Sequence, residues 1–164
     1  MIVDVFGDVG LDVTAEDVKA ALDEDDGGPI LVRINSAGGS VFDGVAIYSM
    51  LSQRRERVSV EVYGLAASIA SVIALAGRET VMYPLSMMMI HSPWMATIGD
   101  ATTHRKSAEV LEEVAKVITG AYLEHANMTE EELEQAMAEE TWMNATEAVA
   151  LGFATSVVEG RRAA

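Results

Sequence analysis

The sequence predicts a mixed α/β protein in which most strands run parallel. Short β-branched segments alternate with helical segments along the 164 residues, and this alternation is typical of a parallel sheet covered by helices. Residues 30–34 are almost continuously apolar, as expected of a strand buried on both faces. Residues 64–77 are small and apolar apart from two serines, which predicts a glycine turn followed by a closely packed helix.

The elements follow from apolar periodicity and turn residues. Residues 2–8 alternate as a strand, and Thr14 can cap a helix that ends before Gly27. The other predicted elements are a strand 30–34, a glycine loop 35–40, a helix 41–53, a strand 58–63, a helix from about 68, strands 80–83 and 87–90, a long helix from 99 to about 125, helices from about 128 and 146, and a last strand 153–158. We expect one domain over residues 1–164, with 159–164 as a flexible tail.

Composition excludes several classes of function. The formal net charge of −15 repels phosphate backbones and anionic membranes, so we expect neither nucleic acid nor membrane as a partner. The chain has no cysteine and therefore no thiolate metal site, and we expect no metal or cofactor. Nothing resembles a signal peptide, and the apolar run 65–76 is shorter than the about 20 residues that span a bilayer. A cytoplasmic protein is expected.

Three residue types are candidates for one site at the sheet edge. Ser68 begins a helix, His91 ends a predicted strand, and an acid comes from Glu139 or Glu140. A serine nucleophile needs a base for its proton, an acid to orient that base, and N–H donors for the oxyanion. Since the carboxyl ends of parallel strands meet at one edge, these distant residues can converge.

The stretch around Ser68 has a simpler interpretation when taken alone. It also fits a buried small-residue helix whose serine bonds only to its own backbone. Ser71 lies on the same helix, about one turn deeper, and we expect its hydroxyl to bond to the backbone. Ser68 is therefore the candidate nucleophile of the two.

Three motifs together resemble the Clp protease proteolytic-subunit family. Asn35-Ser36-Ala37-Gly38-Gly39 resembles the oxyanion-loop motif of that family, although proline usually stands where this chain has Ala37. Gly64-Leu65-Ala66-Ala67-Ser68 resembles the nucleophile motif, and Met89-Ile90-His91-Ser92-Pro93 resembles the histidine motif. The motifs occur in the family's order over nearly the whole chain. The resemblance implies the repeated β-β-α superhelix that the family shares with crotonases, with a projecting long helix.

The resemblance also implies roles for individual residues. Ser68 would be the nucleophile, His91 the general base, and the amides of Gly39 and Ile69 the oxyanion donors. At the position of the family's aspartate this chain has Glu140, which has one more methylene. Glu140, Glu139 or no acid at all remain open for the third member.

The resemblance suggests a subtype and a set of partners. The chain begins at its first strand, and Glu140-Thr141-Trp142 and an acidic helix after Gly99 are similar to the Clp-like head maturation proteases of phages and prophages. We therefore expect an ATP-independent endopeptidase that cleaves scaffold or capsid proteins. Family members form homo-oligomeric rings, commonly heptamers stacked as tetradecamers. The alternatives are the proteolytic subunit of an ATP-dependent Clp protease, an inactive scaffold, and a crotonase-type acyl-CoA enzyme.

Overall fold

The computed structural model describes residues 1–159, and it contains one seven-stranded sheet. The predicted tail therefore lies outside the described residues except for Glu159. The strands are β1 (Ile2–Val9), β2 (Ile30–Gly39), β3 (Val58–Ala67), β4 (Glu79–Met82), β5 (Met87–Ile90), β6 (Thr141–Asn144) and β7 (Ser156–Val157), and the helices are α1 (Ala15–Asp23), α2 (Val41–Ser52), α3 (Ile69–Ala74), α4 (Ala101–Leu123), α5 (Glu130–Ala138) and α6 (Ala145–Ala150).

The sheet is parallel except at one edge. Strands β1, β2, β3, β4 and β7 are neighbours in that order, and each adjacent pair is parallel. Strand β5 pairs with β3 in parallel, and β6 pairs with β5 in antiparallel fashion. This arrangement confirms the predicted α/β class with a mostly parallel sheet.

Strand β3 branches, and the branch creates the edge where the candidate residues meet. Its first half, Ser59 to Val62, pairs with β4, whereas Leu65 to Ala67 pair with Met87 to Met89 of β5. Two separate strands therefore lie beside a single long one. The residues that follow β3 and β5 consequently emerge side by side.

Three local predictions differ from the structure, and one strand was not predicted. The predicted turn at Gly64 is wrong, because β3 stays extended to Ala67 and pairs with β5 there. The predicted glycine loop 35–40 is also wrong over most of its length, since β2 continues to Gly39 beside β1. The last strand is only two residues long, and β6 was not predicted at all. In each case pairing with a neighbouring strand, which local sequence does not reveal, decides the outcome.

The long helix α4 projects from the sheet. None of residues 101–117 is buried, whereas Ile118, Thr119 and Tyr122 near its C-terminus are. The helix is therefore anchored by its last two turns. No helix within residues 1–159 has the combined length and apolar character needed to cross a bilayer.

Close packing of α2 on α3 depends on Gly44. A Cβ built on this buried glycine would lie 2.1 Å from Cγ1 of Ile69, the first residue of α3. We expect Gly44→Ala to destabilise the protein by about 1–3 kcal/mol because the two helices must separate. Denaturant unfolding measures this change. Gly120→Ala is the matched control, since its Cβ would meet nothing within 4 Å and should leave stability unchanged or raise it by about 0.5–1 kcal/mol.

Candidate active site

The backbone of Ser68 is strained and held on both sides. Its φ of 55° and ψ of −129° lie outside the favoured regions for a residue with a side chain. Its N–H donates to the carbonyl of Met89 on β5 at 2.9 Å, and its own carbonyl accepts from the amide of Ser71 at 3.0 Å. Strain that the surroundings enforce is concentrated at functional sites. Among residues 1–159, Glu140 is the only other non-glycine with positive φ.

His91 contacts the hydroxyl of Ser68. Nε2 of His91 lies 2.7 Å from Oγ of Ser68, which is hydrogen-bonding distance. The contact follows from the branched sheet, because Ser68 comes directly after β3 and His91 directly after β5. In the tautomer that carries its proton on Nδ1, the imidazole accepts from the serine hydroxyl. The structure thus brings together two of the three predicted residue types.

The amides around Ser68 differ in their availability to an oxyanion. Gly38 donates its N–H to the hydroxyl of Ser36 at 3.1 Å within the protein. Gly39 is exposed at the edge of the cleft, and its φ of 140° is a conformation that side chains disfavour. Ile69 is the first residue of α3, where an amide has no partner within its helix. The geometry therefore favours Gly39 over Gly38 as the partner of Ile69.

Glu140 lies beside His91 in the strand register, but its carboxylate bonds to another residue. Ile90 pairs with Thr141 in the antiparallel β5–β6 ladder, and the next residues outward on these strands are His91 and Glu140. The carboxylate of Glu140 accepts instead from the indole Nε1 of Trp142 at 3.2 Å. No carboxylate within residues 1–159 hydrogen-bonds to His91 in this structure.

Glu139 is not placed to orient the imidazole either. It caps the C-terminus of α5, and its carboxylate accepts from Nε2 of Gln135 on that helix. Glu140, in contrast, follows it with a φ of 55° that turns the chain into β6. Backbone position therefore favours Glu140 of the two.

An open cleft of about 380 Å³ adjoins the serine and histidine. Its walls combine backbone from the end of β2 with apolar side chains, and Trp94 is largely exposed at its margin. A cleft of this kind suits an extended polypeptide whose backbone passes the serine. The lining residues are Ala37, Gly39, Val41, Ser68, Met89, His91, Pro93 and Trp94.

Two hydrogen bonds beside the site, made by Tyr122 and Trp142, were not predicted from the sequence. The hydroxyl of Ser71 donates to the carbonyl of Ser68 at 2.6 Å, as its expected backbone bonding requires, but it also contacts the hydroxyl of Tyr122 at 2.7 Å. Tyr122 lies 51 residues further along the chain. The indole of Trp142 donates to the carboxylate of Glu140. No sequence signal identifies either hydrogen bond, since both depend on tertiary geometry.

The arrangement has the parts of an acyl-transfer site. It contains a hydroxyl beside an imidazole, two amides near that hydroxyl, and an apolar cleft that reaches the pair. These groups suit attack on a carbonyl and stabilisation of the resulting oxyanion. An acid beside the imidazole is the one part that this conformation does not supply.

Comparisons with known proteins agree with this chemistry. The family model described as Clp protease matches residues 9–161, a range that contains every candidate site residue. The ATP-dependent Clp protease proteolytic subunit 1 of Chlamydia abortus is 36% identical over 137 residues, which cover 80% of this chain and 71% of that protein.

Proposed function

Because this chain belongs to the Clp protease family and is a serine peptidase, we propose that Ser68 is its nucleophile and His91 its general base. The 2.7 Å contact between Oγ of Ser68 and Nε2 of His91 is the observation that carries this assignment. Family membership also favours a peptidase over the acyl-CoA enzyme, which needs no serine–histidine pair. The catalytic proposal fails if Ser68→Ala retains peptide hydrolysis.

The proposed reaction transfers an acyl group to water. Oγ of Ser68 attacks the peptide carbonyl while Nε2 of His91 takes the hydroxyl proton. The amides of Gly39 and Ile69 stabilise the oxyanion. When the tetrahedral intermediate collapses, the C–N bond breaks and His91 gives its proton to the leaving amine. Water, activated by the same imidazole, then hydrolyses the acyl-enzyme and releases Ser68.

We propose Glu140 as the acid that orients His91 when substrate occupies the cleft. Its strand position opposite His91 supports this role, and apo sites often tighten only with substrate. Glu140→Gln is therefore expected to lower kcat/KM by about 10²-fold, because an amide cannot stabilise the imidazolium as a carboxylate does. Peptide hydrolysis measures the effect.

The adjacent acid provides the control for this prediction. Glu139→Gln should leave kcat/KM within about twofold, since its carboxylate bonds to Gln135. Equal losses in the two variants would contradict a specific role for Glu140. An unchanged rate in Glu140→Gln would indicate that His91 acts without a carboxylate.

The biological setting favoured by the comparisons is that of a Clp proteolytic subunit. The Chlamydia abortus relative is named as such a subunit, so this alternative now has more support than the expected phage head maturation role. The similarity of Glu140-Thr141-Trp142 and of the acidic helix after Gly99 supports the maturation role. We propose a homo-oligomeric ring that degrades polypeptides, in which the projecting helix α4 is available for contacts between copies.

A degradation assay distinguishes the two settings. A proteolytic subunit should cleave short peptides by itself but proteins only with an ATP-driven unfoldase. A maturation protease should cleave assembled scaffold or capsid protein without nucleotide. Cleavage of the assembled shell without ATP would therefore restore the phage interpretation.

A further inference from the structure

A chain of three polar groups runs from the anchored end of α4 to the backbone of Ser68. The hydroxyl of Tyr122 lies 2.7 Å from Oγ of Ser71, which lies 2.6 Å from the carbonyl oxygen of Ser68. We propose that Tyr122 and Ser71 are positioning residues that hold Ser68 in its strained conformation. This proposal rests on the proposed role of Ser68 as the nucleophile. Neither residue contacts the cleft.

The direction of the two hydrogen bonds follows from the groups themselves. Because a carbonyl oxygen only accepts, the Ser71 hydroxyl donates its single proton to the carbonyl oxygen of Ser68. The hydroxyl of Tyr122 must therefore donate to Ser71. Burial raises the pKa of Tyr122, which keeps the phenol protonated and able to donate. Successive hydrogen bonds of this kind polarise and strengthen one another.

The surroundings of this chain make it rigid. Ser71 is fully buried and Tyr122 is 1% exposed, so water does not compete for either hydroxyl. The ring of Tyr122 packs edge-on against Phe153 with their centroids 5.4 Å apart, which fixes where its hydroxyl points. The other side of Ser68 is held by Met89 of β5. The nucleophile is thus fixed between β5 on one side and α4 on the other.

Removing the phenolic hydroxyl tests the proposal. Tyr122→Phe keeps the ring and its packing but takes away the donor to Ser71. We expect kcat for a peptide substrate, and the rate of labelling by a fluorophosphonate serine probe, to fall by about tenfold with KM unchanged. Ser71→Ala should cause a loss at least as large. In the Ser71→Ala background, Tyr122→Phe should change kcat by less than about twofold, because the hydroxyl has lost its path to Ser68.

A matched control separates positioning from general stability. Thr119→Val removes another buried hydroxyl of α4, one that donates to the sulfur of Met137, and should leave kcat unchanged. The proposal is overturned if Tyr122→Phe retains the wild-type kcat and labelling rate. It is also overturned if the Tyr122 and Ser71 substitutions act independently, or if Thr119→Val lowers kcat equally. Retained activity in Ser68→Ala would instead overturn the proposed nucleophile.

Discussion

Ser68→Ala is expected to reduce peptide hydrolysis by about 10⁴-fold or more. The substitution removes the atom that attacks the substrate, and what remains is only binding and oxyanion stabilisation. It should also relieve little strain, because the positive φ of the position persists with alanine. Hydrolysis of a fluorogenic peptide at saturating concentration measures the loss.

Ser49→Ala provides the matched serine control. Ser49 lies on α2 outside the cleft, and its hydroxyl bonds to the carbonyl of Val45, as Ser71 bonds to that of Ser68. This variant should retain activity within about twofold. If Ser68→Ala kept more than a few per cent of the wild-type rate, another nucleophile would have to be sought.

Gly39→Ala is expected to lower kcat/KM by about 10²-fold or more and to destabilise the protein by about 2 kcal/mol or more. Gly39 has a φ of 140°, and a Cβ there would lie 2.2 Å from the carbonyl oxygen of Val9 on β1. The end of β2 must therefore move, and the amide of Gly39 moves with it. Kinetics below the unfolding temperature, together with denaturant unfolding, separate the two effects.

Gly7→Ala is the control with comparable backbone strain. Gly7 also has positive φ, and its added Cβ would meet the side chain of Asp12, but it lies on β1 away from the cleft. This variant should lose stability while its folded fraction keeps the wild-type kcat/KM. If Gly39→Ala lost stability alone, the amide of Gly39 would not be an oxyanion donor.

The sequence predicted those parts of the site that depend on local signals. Ser68 was predicted as the start of a helix and His91 as the end of a strand, and both lie in motifs that resemble those of the family. The branching of β3 could not be predicted, since local sequence does not show that Val62 pairs with β4 whereas Leu65 pairs with β5. The missed antiparallel strand β6 had the same cause. Strand pairing, rather than residue type, limited the prediction of the fold.

Side-chain partners limited the prediction of the site. Glu140 was expected beside His91, and the backbone register of β5 and β6 places it there. Its carboxylate accepts from Trp142 instead of His91, and this depends on side-chain rotamers that the sequence does not reveal. Trp142 is half exposed, so substrate or a neighbouring copy can displace this contact at low energetic cost. The hydrogen bond between the hydroxyls of Tyr122 and Ser71 also depends on tertiary packing, because the last turns of α4 lie against α3.

Labelling with a fluorophosphonate probe, read as intact mass and mapped by peptide sequencing, is the strongest test of the proposed serine–histidine pair. We expect one adduct per chain, located on Ser68, that disappears in both Ser68→Ala and His91→Ala. Ser49→Ala should label like the wild type. An adduct on any other serine, or labelling of Ser68 that survives the loss of His91, would contradict the proposed serine–histidine pair.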